Sequence, residues 1–195
     1  VPGVDSRATS ELDLFSDVLG SGKNSRLYQR LVYDDQIATQ VSAGLWPKEL
    51  GSQFIMSATV RPGGDAAAVE AAMNDELARL IESGPTADEL ARVRARVGAG
   101  FIRGAERIGG SSGKSGILAR SAVFGGSPDA YKRYLDVLET ATTNDLQQVG
   151  QQWLTDGVYT LTVEPMQGVA AASGESVERS HLPQPGMPPD LRLPT

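Results

Sequence analysis

The chain has 195 residues, 40% hydrophobic and 22% charged, which is ordinary for a soluble globular protein of one domain or two small ones. Its net charge of −6 argues against a nucleic-acid partner, which needs a basic face, and no apolar run approaches the roughly 18 to 20 residues of a membrane span. The absence of cysteine excludes disulfides and thiolate metal sites and leaves the redox compartment open.

The first predicted element is a helix in ATSELDLFSDVL, with Leu12, Phe15 and Leu19 at helical spacing before the stop at Gly20. A second helix is expected in SRLYQRLVYDD after the cap candidate Asn24, with Leu27, Leu31 and Val32 on one face. Two strands follow. IATQVSAGLW alternates Ile37, Thr39, Val41 and Ala43, and SQFIMSATV alternates Phe54, Met56, Ala58 and Val60, with PKELG as the loop between antiparallel neighbours. RPGGD opens a helix carrying Val69, Met73, Leu77, Leu80 and Ile81, which ends at Ser83–Pro85. Thr86 and Glu89 form a capping-box pattern for the longest helix, whose stripe is Leu90, Val93, Val97 and Phe101. Beyond a glycine-rich break, SGILARSAVF is a short helix. Ser127 and Pro128 then cap and start one with Tyr131, Tyr134, Leu135 and Leu138, and TNDLQQVGQQWL adds Leu146, Val149 and Trp153. YTLTVEP, alternating Tyr159, Leu161 and Val163, is predicted as a last strand. Strands and helices in separate blocks predict an α+β fold, a mostly antiparallel sheet covered by helices on one face.

Two glycine-rich stretches invite a nucleotide reading, and both fail it. A phosphate-cradling loop needs two glycines five positions apart, followed by Lys and Ser or Thr. In GGSSGKSG the position five before Gly113 is Ile108, and in GSGKNS Asn24 stands where the hydroxyl belongs. Neither follows a buried strand, so a flexible break between helices is the better reading. The adjacent Asp34 and Asp35 fit a solvated helix end rather than a metal-binding pair. Arg103, Glu106 and Arg107 fit a salt-bridged solvent face. The single histidine, His181, lies in the proline-rich tail SHLPQPGMPPDLRLPT, so the chain lacks the ligands for a zinc site of its own and the main actor of triad chemistry.

The run LFSDVLGSGKNSRLYQRLVYDDQIATQVSAG resembles the start of the second half-domain of the pitrilysin/insulinase-type zinc metallopeptidases. So do TVRPGGD, ELARLIESGPTADELARVRAR and GGSPDAYKRYLDVLETATTNDLQQVGQQWL, in that order, from about Val1 to Pro165. The resemblance implies a peptidase-like half-domain over 1–166 and a Pro/Gly/Ser-rich linker or tail over 167–195. Members hold zinc with an inverted H-x-x-E-H motif in the preceding half-domain. That motif is absent here, so no catalytic, cofactor-binding or metal residue is assigned to this chain, and zinc is expected in the neighbouring half-domain of the parent protein. The family also uses an Arg and a Tyr, seven residues apart, from a half-domain like this one. Val32 stands where that Arg would be and Thr39 where the Tyr would be, and neither can stabilise an oxyanion.

The resemblance thus implies a non-catalytic structural half-domain of a peptidase that cleaves peptides in an enclosed chamber. Its partners would be the zinc-bearing half-domain of the same polypeptide and a peptide substrate, with homodimerisation left open. Two other readings stand beside it: a paralogue that lost its activity, and a scaffold subunit like the inactive relatives in mitochondrial processing peptidase and respiratory-complex cores. The structural half-domain is preferred, because the proline-rich tail resembles a hinge into another half. The start at Val1, without Met or signal peptide, suggests a piece of something longer. The compartment, periplasmic or cytoplasmic, stays open.

Overall fold

The structure, a computed structural model, describes residues 1–4 and 6–164. It begins with α1 (Arg7–Gly20), where the Ser6 hydroxyl accepts the Thr9 N–H at 3.0 Å and so satisfies one of the open amides of the first turn. Leu12, Leu14, Phe15, Val18 and Leu19 are all buried. A helix apolar on nearly every side must be covered on every side, and α1 packs against the sheet and against the helices that follow.

The expected second helix is present in altered form. Arg26 and Leu27 are α-helical, but Tyr28–Asp34 is a π-helix, in which the Asp35 N–H bonds the Arg30 carbonyl at 2.8 Å. Asn24 is not its cap. Ser25 takes the first turn instead, its carbonyl accepting the Gln29 N–H at 3.0 Å and its hydroxyl donating to Gly22 O at 2.7 Å. Gln36, a non-glycine residue at φ 54°, ends the segment and turns the chain into the sheet.

β1 (Ala38–Trp46) and β2 (Gln53–Val60) pair antiparallel, with Val41 opposite Ala58, Ala43 opposite Met56 and Leu45 opposite Phe54. The pairing slips between Ala38 and Gln40, so Thr39 is the extra residue of a bulge. This breaks the predicted alternation: Ala38 and Val41 are buried and Thr39 is exposed. The inward face, including Phe54, Met56, Ala58 and Val60, packs on the helical core.

The helices then run as α2 (Ala66–Ser83), α3 (Ala87–Glu106), α4 (Lys114–Gly125), a 3₁₀ turn (Pro128–Ala130), α5 (Tyr131–Thr140) and α6 (Thr143–Trp153). The starts of α2, α3, the 3₁₀ turn and α6 are chemically marked. Asp65 accepts the Ala67 N–H at 2.8 Å, and Thr86 with Glu89 closes the predicted capping box. Ser127 caps the 3₁₀ turn, and Thr142 with Asp145 closes a second capping box. Val69, Leu80, Leu90, Val93, Leu138 and Leu146 bury one face of α2, α3, α5 and α6 in the core with α1 and the sheet. Phe15 meets Phe54 edge-on at 6.2 Å. Its ring also lies 2.8 Å from where a Cβ on Gly150 would stand, so α6 lies close over α1 because residue 150 has no side chain.

Val1–Tyr159 forms one compact unit, and a second begins at Thr160. The predicted strand over Tyr159–Val163 is not formed. Val158, Tyr159, Leu161 and Val163 are between 71% and 87% exposed, without helix or strand. An alternating segment becomes a strand only with a ladder partner, and the described ladder joins β1 and β2 alone. The expected linker over 167–195, and His181 within it, lie outside the described residues.

Candidate functional site

Val32 and Thr39 sit on the two backbone irregularities that join α1 to the sheet, the π-helix and the bulge. Both features are known for re-aiming side chains at functional sites. Val32 is half-buried and packed against the core, next to the fully buried Leu31. Thr39 is exposed, its hydroxyl donating to Thr59 O at 3.2 Å. The nearby guanidinium is already engaged: Arg30 Nη1 lies 2.5 Å from Asp75 Oδ2 and 3.4 Å from Glu76 Oε2, while its Nε is 3.6 Å from Asp35. Arg30 therefore ties the π-helix to α2. Asp34 and Asp35 are both exposed, and Asp35 faces Arg30. The outward sheet face is hydroxylated, with Ser42 and Ser57 hydrogen-bonded across the ladder at 2.8 Å. These hydroxyls can bind polar backbone. Among the described residues, no group of three or more His, Asp or Glu could hold a metal ion, and no helix is long and apolar enough to cross a membrane.

The glycine-rich break has its own geometry. Lys114 N–H donates to Arg107 O at 2.8 Å, Ser115 N–H to Ile108 O at 3.1 Å and Gly113 N–H to Gly110 O at 3.1 Å. The amides that would cradle a phosphate are thus bonded to carbonyls. Arg103, Glu106 and Arg107 are exposed as expected, but no ion pair joins them among the described residues.

A second place of interest lies between α1, the α3–α4 connection and α5, where a cavity of about 1140 Å³ opens. Asp13 lies at its wall, its Oδ2 accepting the Tyr134 hydroxyl at 3.1 Å. Behind it, Asp17 pairs with Arg96 at 2.7 Å. Burial and the neighbouring Asp17 charge push the Asp13 carboxyl up to about 6, against the pull of Tyr134 and Arg96. Burial and the same two carboxylates raise the Tyr134 phenol, so it remains a donor. A carboxyl raised on folding stabilises fully below its unfolded value of about 4, and that contribution is lost as pH climbs through 6. Asp13→Asn should therefore raise stability by about 1–2 kcal/mol at pH 7.5 and by little at pH 4. Urea unfolding at both pH values checks this, and an equal effect at both would contradict it.

Residues 1–97 match the family model described as Peptidase M16 inactive domain, whereas no curated protein matches the chain. The fold is shared with solved structures. A protease from Helicobacter pylori is 24% identical with a TM-score of 0.72, over 80% of this chain and 36% of that one. The inactive peptidase domain of a Bordetella parapertussis protein provisionally named a zinc protease is 20% identical with a TM-score of 0.68, over 86% and 90%. A peptidase M16 inactive domain from Pseudomonas fluorescens is 14% identical with a TM-score of 0.65, over 77% and 35%. The chain spans about a third of the Helicobacter protein. The fold expected from the sequence is therefore the one found: residues 1–97 match the peptidase M16 inactive-domain model, and the later helices complete the fold shared with these structures.

Proposed function

We propose that this domain is a structural half of a zinc-dependent peptidase whose metal and general base lie on a neighbouring half-domain, and that it forms part of the wall of an enclosed chamber in which peptides are cut. One observation carries the reading. The two positions that the resemblance aligns with an oxyanion-stabilising Arg and Tyr hold Val32, packed on the core, and Thr39, bonded to its own sheet. Neither side chain can place a cation or a phenol beside a developing oxyanion. The hydroxylated outer face of β1 and β2 suits a water-filled chamber, and α1 to α6 support it from behind.

The test is the double substitution Val32→Arg and Thr39→Tyr in the intact parent. It should give no gain in peptide cleavage and should cost about 1–3 kcal/mol, because position 32 would force a charge against the core. Gained cleavage with an unchanged denaturant midpoint would show a decayed catalytic partner instead.

A further inference from the structure

The cavity between α1, the α3–α4 connection and α5 is not accounted for by a structural role. Its floor is apolar: Phe101 and Tyr131 stack with centroids 5.8 Å apart, and Phe124 and Val137 line it beside them. Its charge runs against that of the whole molecule. Five cationic side chains line it against two carboxylates, in a chain with a net charge of −6. Three of the cations are engaged: Arg7 with Glu11 at 2.7 Å, Lys132 with Asp129 at 3.1 Å, and Arg133 donating to Gly125 O at 2.8 Å. Arg107 and Arg120 are exposed, and their side chains make no hydrogen bond or ion pair among the described residues.

We propose that this cavity binds an acidic peptide segment of another polypeptide, its apolar side chains on the Phe101–Tyr131–Phe124 floor and its carboxylates on Arg107 and Arg120. Size favours a peptide over a compact metabolite, since 1140 Å³ exceeds the about 300–1,000 Å³ of ordinary small-molecule pockets. Chemistry favours it as well. Aromatic anchors and arginines are the side chains that dominate polypeptide recognition, and a planar guanidinium donates two parallel hydrogen bonds to a carboxylate. Opposite charge on ligand and groove also speeds encounter, in a salt-dependent way. The site is separate from the outer, hydroxylated face of the sheet, and the proposal stands without the peptidase reading, because binding is measured without cleavage.

The test is fluorescence anisotropy of a labelled octapeptide alternating Glu with Leu and Phe, added to the 195-residue chain. Three competitors or comparisons accompany it: the same peptide with Lys for each Glu, sodium dodecanoate, and the protein variants Arg107→Ala/Arg120→Ala and Phe124→Ala. The acidic peptide should bind, the lysine peptide should not, and both variants should weaken binding at least tenfold with unchanged circular dichroism. Raised salt should weaken it further. Equal binding to wild type and the double-arginine variant, equal binding of the lysine peptide, or no peptide binding would each overturn the proposal. Stoichiometric binding of dodecanoate in place of the peptide would assign the cavity to a lipid-like anion and overturn it too.

Discussion

Replacing Gly20 with alanine should destabilise the domain by about 3 kcal/mol or more, among the largest effects of any single methyl group in this fold. Gly20 is the last residue of α1, and a Cβ there would stand 2.1 Å from the backbone nitrogen of Ala43 and 2.5 Å from its Cβ. The obstacle is backbone, so no side chain can swing aside, and either α1 or β1 has to move. Both are pinned, α1 by its fully buried Phe15 and Leu19, and β1 by its ladder to β2. Better helix propensity would return up to about 1 kcal/mol, which the clash exceeds. Gly44 supplies the control: it neighbours Ala43 in β1, yet a Cβ there meets nothing within 4 Å. Gly44→Ala should leave the urea midpoint nearly unchanged. Equal midpoints for the two variants would show that α1 does not press on β1 as closely as described.

Arg26→Met should cost about 2–3 kcal/mol at pH 7, through loss of a nearly buried, two-pronged ion pair. Arg26 Nε and Nη2 each lie 2.8 Å from a Glu89 oxygen, and Nη2 also donates to Gly84 O at 3.1 Å. The same carboxylate accepts the Thr86 N–H at 2.7 Å in the capping box of α3. One pair thus links the end of α2, the start of α3 and the turn before the π-helix. Burial alone would raise the Glu89 carboxyl, but Arg26 and Thr86 outweigh it and hold it at about 2. A carboxyl lowered on folding contributes stability above its unfolded value of about 4.5, lost as pH falls toward 2. Wild-type stability should therefore drop across that window, and the Met variant, its pair already gone, should drop less. Parallel pH profiles for the two proteins would contradict this account.

The helical part of the fold was legible because its signals are local. Thr86 with Glu89, Ser127 with Pro128, and the stripes of α2 and α3 appear where their chemistry put them. The second capping box lacks the usual sequence signature, because Asp145, rather than Glu or Gln, closes it. The π-helix and the bulge left no mark in the sequence. Each inserts one extra residue into a regular repeat, and the repeat around it reads the same either way. That is why Thr39 was expected in phase with Ile37 and Val41, and why the surroundings of Val32 emerged only from packing. Tyr159–Val163 has the alternation of a strand, but alternation reports what a segment could bury, and its ladder is not present among the described residues. The cavity was invisible for a related reason, since its wall combines α1, α3, α4 and α5 from distant parts of the chain.

The proposal that this is a non-catalytic half-domain is tested most directly by metal analysis and peptide hydrolysis on the 195-residue chain, before and after mixing with a zinc-bearing half-domain of the kind proposed above. The account predicts no stoichiometric zinc after dialysis and no cleavage by the chain alone, with zinc and the general base contributed by the other half. One tightly held zinc per chain, or cleavage by the chain alone that a chelator abolishes, would contradict it.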